Sequence, residues 1–329
     1  MQTRKLGKSD IEVSAIGLGC WAIGGPFWRE DTPPRRPLGW GGVDDNESVS
    51  AIHRALDFAV NFFDTADAYG CGHSERILAR ALEGRRDEVV IATKFGGVFD
   101  EDTMTWWGHL HPDGVVQPEF VRQACESSLT RLKTDYIDLY LFHWNDYDAA
   151  LAADLLPVLE DLVTDGKIRW YGWSTDDHER ARMFAQGTHC AAIQHDLNFM
   201  ECNDEMLEVC EKYDLASINR NPLLMGLLTG KFQEDSKLPE NDVRHAWNFR
   251  EGPVANVVQQ LDKVRQALTR EGHTLAQAAL GWIWAHNPRT IPIPGFKTVA
   301  QVEDDAGALS RGPLSSEQMR EIDRILKSE

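Results

Sequence analysis

Asn61-Phe-Phe-Asp64, Val89-Val-Ile-Ala-Thr-Lys94 and Ile137-Asp-Leu-Tyr-Leu-Phe-His143 are three short apolar runs that each end on an ionisable side chain. Runs of this length, rich in β-branched and aromatic residues, read as buried strands. They place strands at Phe62 to Asp64, Val89 to Thr93 and Tyr136 to Phe142. Five further runs of the same kind are Ser14 to Leu18, Arg169 to Trp173, Ala191 to Gln194, Leu215 to Ile218 and Thr290 to Ile293. Between them the apolar residues recur at helical spacing over 46–60, 74–83, 118–132, 154–165, 176–186, 204–213, 253–271 and 299–308, the first opened by the cap-like Asp44-Asp45-Asn46-Glu47. Strands alternating with helices imply parallel pairing, and eight such units predict an α/β fold of the (β/α)8 TIM-barrel type, with a doubly wound sheet as the alternative. Residues 1–329 then form one barrel domain, with an extra C-terminal helix over 315–327 on its outside. The segments 24–45, 96–116 and 221–252 are longer than ordinary connections. Each follows a strand, so in a barrel all three rise from the C-terminal face, where active sites are built.

Composition narrows the function. The 329 residues carry 34 Lys plus Arg against 52 Asp plus Glu, a formal charge of −18. Nucleic acids and anionic membranes demand a basic surface, so neither is an expected partner. Any anionic ligand needs a local basic pocket. The polar start Met1-Gln-Thr-Arg-Lys lacks an apolar signal core, and no apolar stretch is long enough to span a bilayer, so a cytoplasmic protein is expected. Cys20, Cys71, Cys125, Cys190, Cys202 and Cys210 show no CxxC spacing, which suits reduced thiols better than disulfides or a zinc knuckle.

Asp64, Lys94 and His143 matter because they end consecutive strands. In a barrel these ends converge on one mouth, and a buried charge costs several kcal/mol unless paired. Taken singly, each has an ordinary reading as a cap, a snorkelling lysine or a core histidine. Together, beside Tyr69 in Asp64-Thr-Ala-Asp-Ala-Tyr69-Gly70, they make a set suited to proton transfer.

At these residues the chain resembles the aldo-keto reductase superfamily. The resemblance rests on Leu18-Gly-Cys-Trp-Ala-Ile-Gly-Gly25, Phe63-Asp-Thr-Ala-Asp-Ala-Tyr-Gly70, Ala92-Thr-Lys-Phe-Gly96, Arg131-Leu-Lys-Thr-Asp-Tyr-Ile-Asp-Leu-Tyr140 and Gly226-Leu-Leu-Thr-Gly-Lys231, in that order. It implies a barrel that binds a nicotinamide cofactor and interconverts a carbonyl and an alcohol. It also implies a catalytic tetrad of Asp64, Tyr69, Lys94 and His143. Tyr69 would be the general acid, with its pKa lowered by Lys94, and His143 would orient the carbonyl oxygen.

The same resemblance assigns the cofactor contacts. Ser174, Thr175 and Gln194 would hold the nicotinamide carboxamide near Cys20, Trp21 and Asp64. Arg220 stands where the family often has an aromatic ring, and a guanidinium there would favour the neutral, reduced nicotinamide. Asn221, Pro222, Leu223, Leu224, Met225, Gly226 and Lys231 would wrap the pyrophosphate. Arg244, Gly295, Phe296, Lys297 and Thr298 would meet the adenosine phosphate and Gln301 the adenine, with NADP(H) preferred and NAD(H) the alternative. Asp304 and Asp305 would lie beside the adenine, where the family commonly has Asn in place of Asp305.

Of the eleven tryptophans, Trp21, Trp28, Trp40, Trp106, Trp107 and Trp144 fall on or beside the expected mouth. Together with His143 they are expected to line a pocket for a small carbonyl or alcohol, sugar-derived or cyclic, because indole faces stack on flat or ring-shaped ligands. Arg29, Arg35 and Arg36 read as a solvated edge. A monomer or small homo-oligomer is expected, with no metal. The rival readings are a cofactor-bound sensor with little turnover and a metal-dependent hydrolase. The latter is disfavoured because the first strand ends Gly19-Cys20-Trp21, without a ligand set.

Overall fold

The structure is a computed structural model that describes residues 2–30, 35–109 and 111–327. Eight parallel strands follow one another in chain order: β1 (Leu18–Gly19), β2 (Phe62–Asp64), β3 (Val90–Phe95), β4 (Ile137–Phe142), β5 (Ile168–Ser174), β6 (Cys190–Asp196), β7 (Ala216–Arg220) and β8 (Thr290–Pro292). The sheet curls until its two edges meet. Gly17 N and Gly19 N donate to Pro292 O and Pro294 O at 3.0 and 2.9 Å, and Gly19 bridges Gly295 in parallel. This is the predicted barrel.

Strands alternate inside and outside. Phe62, Val90, Ala92, Leu139, Leu141, Ala192, Ile218 and Ile291 form a core inside the barrel. Its lower end is plugged by a hairpin that the sequence reading did not foresee, Thr3–Lys5 paired with Glu12–Ser14, which contributes Leu6, Ile11 and Val13. Ser14 therefore belongs to the plug. The first barrel strand starts only at Leu18, not at Ser14 as expected.

A second difference concerns the helix before β8. The expected helix over 253–271 exists as Pro253–Thr269, but the one that packs on the barrel is Leu275–His286. Leu275-Ala-Gln-Ala-Ala-Leu-Gly-Trp-Ile-Trp284 is apolar all round, so it carries no one-sided stripe to read. Pro253–Thr269 lies outside it, together with the C-terminal helix Ser316–Leu326, whose Gln318 donates to Ala267 O at 3.0 Å.

The long loops after β1 and β3 are not irregular. Phe99–Asp100, Thr105–Trp106, Trp28–Arg29 and Arg36–Pro37 pair side by side into a four-stranded sheet over the barrel mouth. The loop after β7 joins the first of them, through the Trp40–Asp242 bridge and the bond from Val243 N to Gly39 O.

Candidate active site

The residues that end the strands converge. Asp64 closes β2, Lys94 lies next to last in β3, and both are buried. Lys94 Nζ donates to Asp64 Oδ2 at 2.7 Å and to Thr65 O at 2.7 Å. Across the barrel, Gln194 Nε2 donates to Asp64 Oδ1 at 2.7 Å. Burial disfavours the Lys94 ammonium, but Asp64 and Tyr69 outweigh that and hold its pKa above the ordinary lysine value. The lysine stays charged in an apolar setting only because this carboxylate faces it.

Tyr69 is supplied by the turn after β2. Gly70 takes φ +57°, and a Cβ there would lie 1.9 Å from Gly24 O, so only glycine lets this turn nest against the loop after β1. The nesting fixes Tyr69 between two fixed points. Lys94 Nζ reaches its hydroxyl at 3.3 Å, and its ring stacks on Trp21 with centroids 6.0 Å apart. Burial pushes the Tyr69 pKa above the ordinary tyrosine value, and Lys94 offsets only part of that rise. The expectation that Lys94 would bring it down toward neutrality is therefore not met in this structure.

His143, just beyond β4, sits edge-on to Tyr69 with ring centroids 5.7 Å apart. Burial, then the positive charge of Lys94, drives its pKa well below the usual histidine value, so it is a neutral imidazole. A second imidazole lies near it. His109 hydrogen-bonds Gly96 O through Nδ1 at 2.8 Å and stacks flat on Trp144 at 4.4 Å, with burial again favouring the neutral form.

Tyr69, His143, Asp64 and Gln194 open onto one cavity of about 790 Å³. One arm is walled by Phe27, Leu38, Trp106 and His109 from the loop sheet. The other runs past Pro222, Met225 and Gly226 to Lys231, Arg244, Lys297, Gln301, Asp304 and Asp305. This second arm is the basic pocket that a chain of net charge −18 has to build locally.

Arg244 is buried, paired with Asp242 at 2.7 Å, and lies 4.1 Å over the Trp40 ring. Lys297 Nζ donates to Trp40 O and Gly42 O at 2.8 and 2.7 Å. Lys231 makes no hydrogen bond or ion pair among the described residues, and its ammonium lies over the Phe232 ring. Burial, and then the nearby Arg244, lowers its pKa. Burial, and then the neighbouring Asp304, raises the Asp305 pKa well above the ordinary carboxylate value, which favours its protonated form.

The chain matches the Aldo/keto reductase family over residues 15–327. A glycerol dehydrogenase from Gluconobacter oxydans superposes with a TM-score of 0.81 at 31% identity, covering 98% of this chain and 94% of its own. An NADH-specific methylglyoxal reductase from Escherichia coli K12 is 30% identical over 94% of both chains. An aldo/keto reductase from Klebsiella pneumoniae, solved in complex with NADP and acetate, superposes with a TM-score of 0.69 at 26% identity, covering 99% of this chain and 95% of that one.

The chain is an aldo/keto reductase.

It is accordingly an NAD(P)H-dependent oxidoreductase of carbonyl–alcohol chemistry. Within this aldo/keto reductase barrel, the structure brings together Asp64, Tyr69, Lys94 and His143, the four residues expected to form the tetrad. It also places most of the expected cofactor contacts on the cavity wall, including Trp21, Asn221 and Leu223 from the lips and Gly295 and Phe296 after β8.

Five expected contacts are not on that wall. Cys20 is wholly buried behind it. Leu224 packs toward the core. Ser174 Oγ donates to Gln194 Oε1 at 3.1 Å, and Thr175 Oγ1 donates to Asn145 O at 2.9 Å. Thr298 caps the helix Val299–Arg311 by accepting from Gln301 N at 3.3 Å. Three of the six tryptophans, Trp21, Trp40 and Trp106, line the cavity. Trp28 is a strand residue of the loop sheet, Trp107 is 41% exposed, and Trp144 forms the stacking floor under His109.

Arg220 lines the cavity as a paired guanidinium. Asp196 and Asp176 both pair with it, so its positive charge is met within the protein. The sequence reading missed Asp196 and His109. Asp196 carried a usable signal, because it lies two residues beyond Gln194 on one strand and so shares its face.

Proposed function

We propose that this enzyme reduces a small aldehyde or ketone, sugar-derived or cyclic, with NADP(H) preferred, and that Tyr69 is its general acid. The supporting observation is the buried Asp64–Lys94 pair aimed at the Tyr69 hydroxyl beside a neutral His143 on a cavity wide enough for a dinucleotide and a small ligand. The basic arm fits the phosphates. An ammonium at Lys231 without a hydrogen-bond or ion-pair partner among the described residues faces it, and two further cations converge on it. Lys231, Arg244 and Lys297 would hold those phosphates, and Gln194 the carboxamide.

A bound reduced nicotinamide supplies the hydride. The chain does the rest. The neutral His143 donates a hydrogen bond to the carbonyl oxygen, drawing electron density onto it. Tyr69 delivers its phenolic proton to that oxygen, and the Lys94 ammonium stabilises the phenolate left behind. Asp64 keeps Lys94 charged and correctly placed. The aromatic wall excludes water from the reacting atoms.

Because Tyr69 is held above the ordinary tyrosine pKa, the proton needed for reduction is present throughout the neutral range. Reductive kcat/KM should therefore be flat there and fall only in alkaline solution, while alcohol oxidation, which needs the phenolate, should rise in the same window. A reductive rate that already falls between about pH 6 and 8 would remove Tyr69, as it is held in this structure, from the acid role. For the phosphate arm, Lys297→Met should raise the NADPH KM by about tenfold or more and leave the NADH KM nearly unchanged. Equal changes for both cofactors would remove the assignment of Lys297 to the 2′-phosphate. Loss of NADPH absorbance across sugars, cyclic ketones and aldehydes tests the activity itself, and tight cofactor binding with no turnover on any of them would favour the sensor reading.

A further inference from the structure

The loop after β6 carries Cys202 to the surface, and the helix Asp204–Lys212 begins two residues later. His286, the last residue of Leu275–His286, arrives at the same point from 84 residues along the chain. Three ligand-type atoms meet there. Cys202 Sγ is 3.2 Å from His286 Nε2 and 3.1 Å from Asp204 Oδ1, and the imidazole and carboxylate atoms are 2.8 Å apart. The His286 ring is held by stacking on Trp282, with centroids 4.7 Å apart and planes 8° from parallel. Of the six cysteines, Cys202 alone is exposed.

The triangle has the size that an ion requires. An ion ~2.0–2.3 Å from sulfur, nitrogen and oxygen would see these three at mutual angles of roughly 90°, seated just above their plane. Opening each edge by roughly half an ångström gives the tetrahedral angle preferred by zinc. The outer side faces solvent, which completes the coordination with water. One thiolate and one imidazole select a borderline-soft transition ion over magnesium or calcium, which prefer all-oxygen sites.

We propose that Cys202, Asp204 and His286 form a surface binding site for a divalent transition ion of the zinc class. Binding replaces the thiol proton: Cys202 gives up its S–H proton to solvent and ligates as thiolate. His286 ligates through the Nε2 lone pair, with its proton on Nδ1. No electron is transferred. The ion clamps the loop after β6 to the helix that precedes β8. This clamp reaches the cavity, because Asn203 Nδ2 donates to Asp176 O at 2.9 Å, and Asp176 holds Arg220 on the cavity wall. No cysteine spacing signalled the site, since its ligands come together only in the fold.

Cobalt(II) is the probe, added to the full-length enzyme after treatment with chelator. The expected result is a thiolate-to-cobalt charge-transfer band that saturates at one ion per chain and is accompanied by release of one proton. The band should be absent in Cys202→Ser, and the affinity should fall by about tenfold or more in His286→Ala. Zinc should displace the cobalt and raise the thermal midpoint of the parent chain but not of Cys202→Ser. No saturable band, or the same band in Cys202→Ser, overturns the proposal. Should Cys202→Ser misfold, Asp204→Asn serves in its place, and undiminished affinity in that folded variant also overturns it.

Discussion

Tyr69→Phe should lower carbonyl reduction by about 10²–10⁴-fold, the range carried by a positioned general acid, and leave NADPH affinity within about twofold. The substitution removes one oxygen and nothing else. Phe keeps the ring that stacks on Trp21, and the turn through Gly70 is untouched. Lys94 keeps two of its three partners, Asp64 and Thr65 O, so the buried charge is still paired. Structure and cofactor site should therefore persist while the proton source is gone. Turnover is read in steady state, and binding by quenching of tryptophan fluorescence, with Trp21 on the cavity wall as the reporter. Retained turnover in this variant would move the acid role to His143 or to a water molecule. Loss of cofactor binding along with turnover would instead make Tyr69 a structural contact.

Lys94→Met should cost both activity and stability. It leaves Asp64 buried with the amide of Gln194 as its remaining side-chain hydrogen-bond donor, and breaking a buried pair from one side costs about 3–5 kcal/mol. The urea midpoint should fall accordingly. The paired variant Asp64→Leu with Lys94→Met buries no charge and should recover most of that stability without recovering turnover. This separation is the useful reading. A single variant that loses activity could have lost its fold, whereas a stable double variant without turnover shows that the pair serves the chemistry. If the double variant is as unstable as the single one, packing around Asp64 and not its charge governs this part of the barrel.

Much of this was legible because the barrel writes its function at strand ends. Asp64, Lys94 and His143 each interrupt an apolar run, and a charge attached to a buried strand demands a partner. Given eight parallel strands, that partner can only lie at the shared mouth. Other parts left no such trace. Helix Leu275–His286 is buried over most of its length, so it lacks the amphipathic stripe by which the outer helices were read. The loop sheet is made of two-residue strands, too short to show a period of two. The cofactor assignments that moved did so for local reasons. Thr298 spends its hydroxyl on a helix cap and Thr175 on Asn145 O, and neither competition is visible until the backbone is folded. The pairing of Arg220 left no trace in the sequence because its two carboxylate partners are 24 and 44 residues away.

The four-stranded sheet over the mouth separates two jobs that most loops must do at once. Its order comes from main-chain hydrogen bonds, which are indifferent to the side chains they carry. Exchanging Phe27 or Leu38 on the cavity wall should therefore leave the wall standing, because their main-chain groups pair with each other whatever side chains they carry. If the proposed function holds, the molecule is in this sense built for divergence: new carbonyl preferences would be explored on the awning while the chemistry beneath it is inherited unchanged.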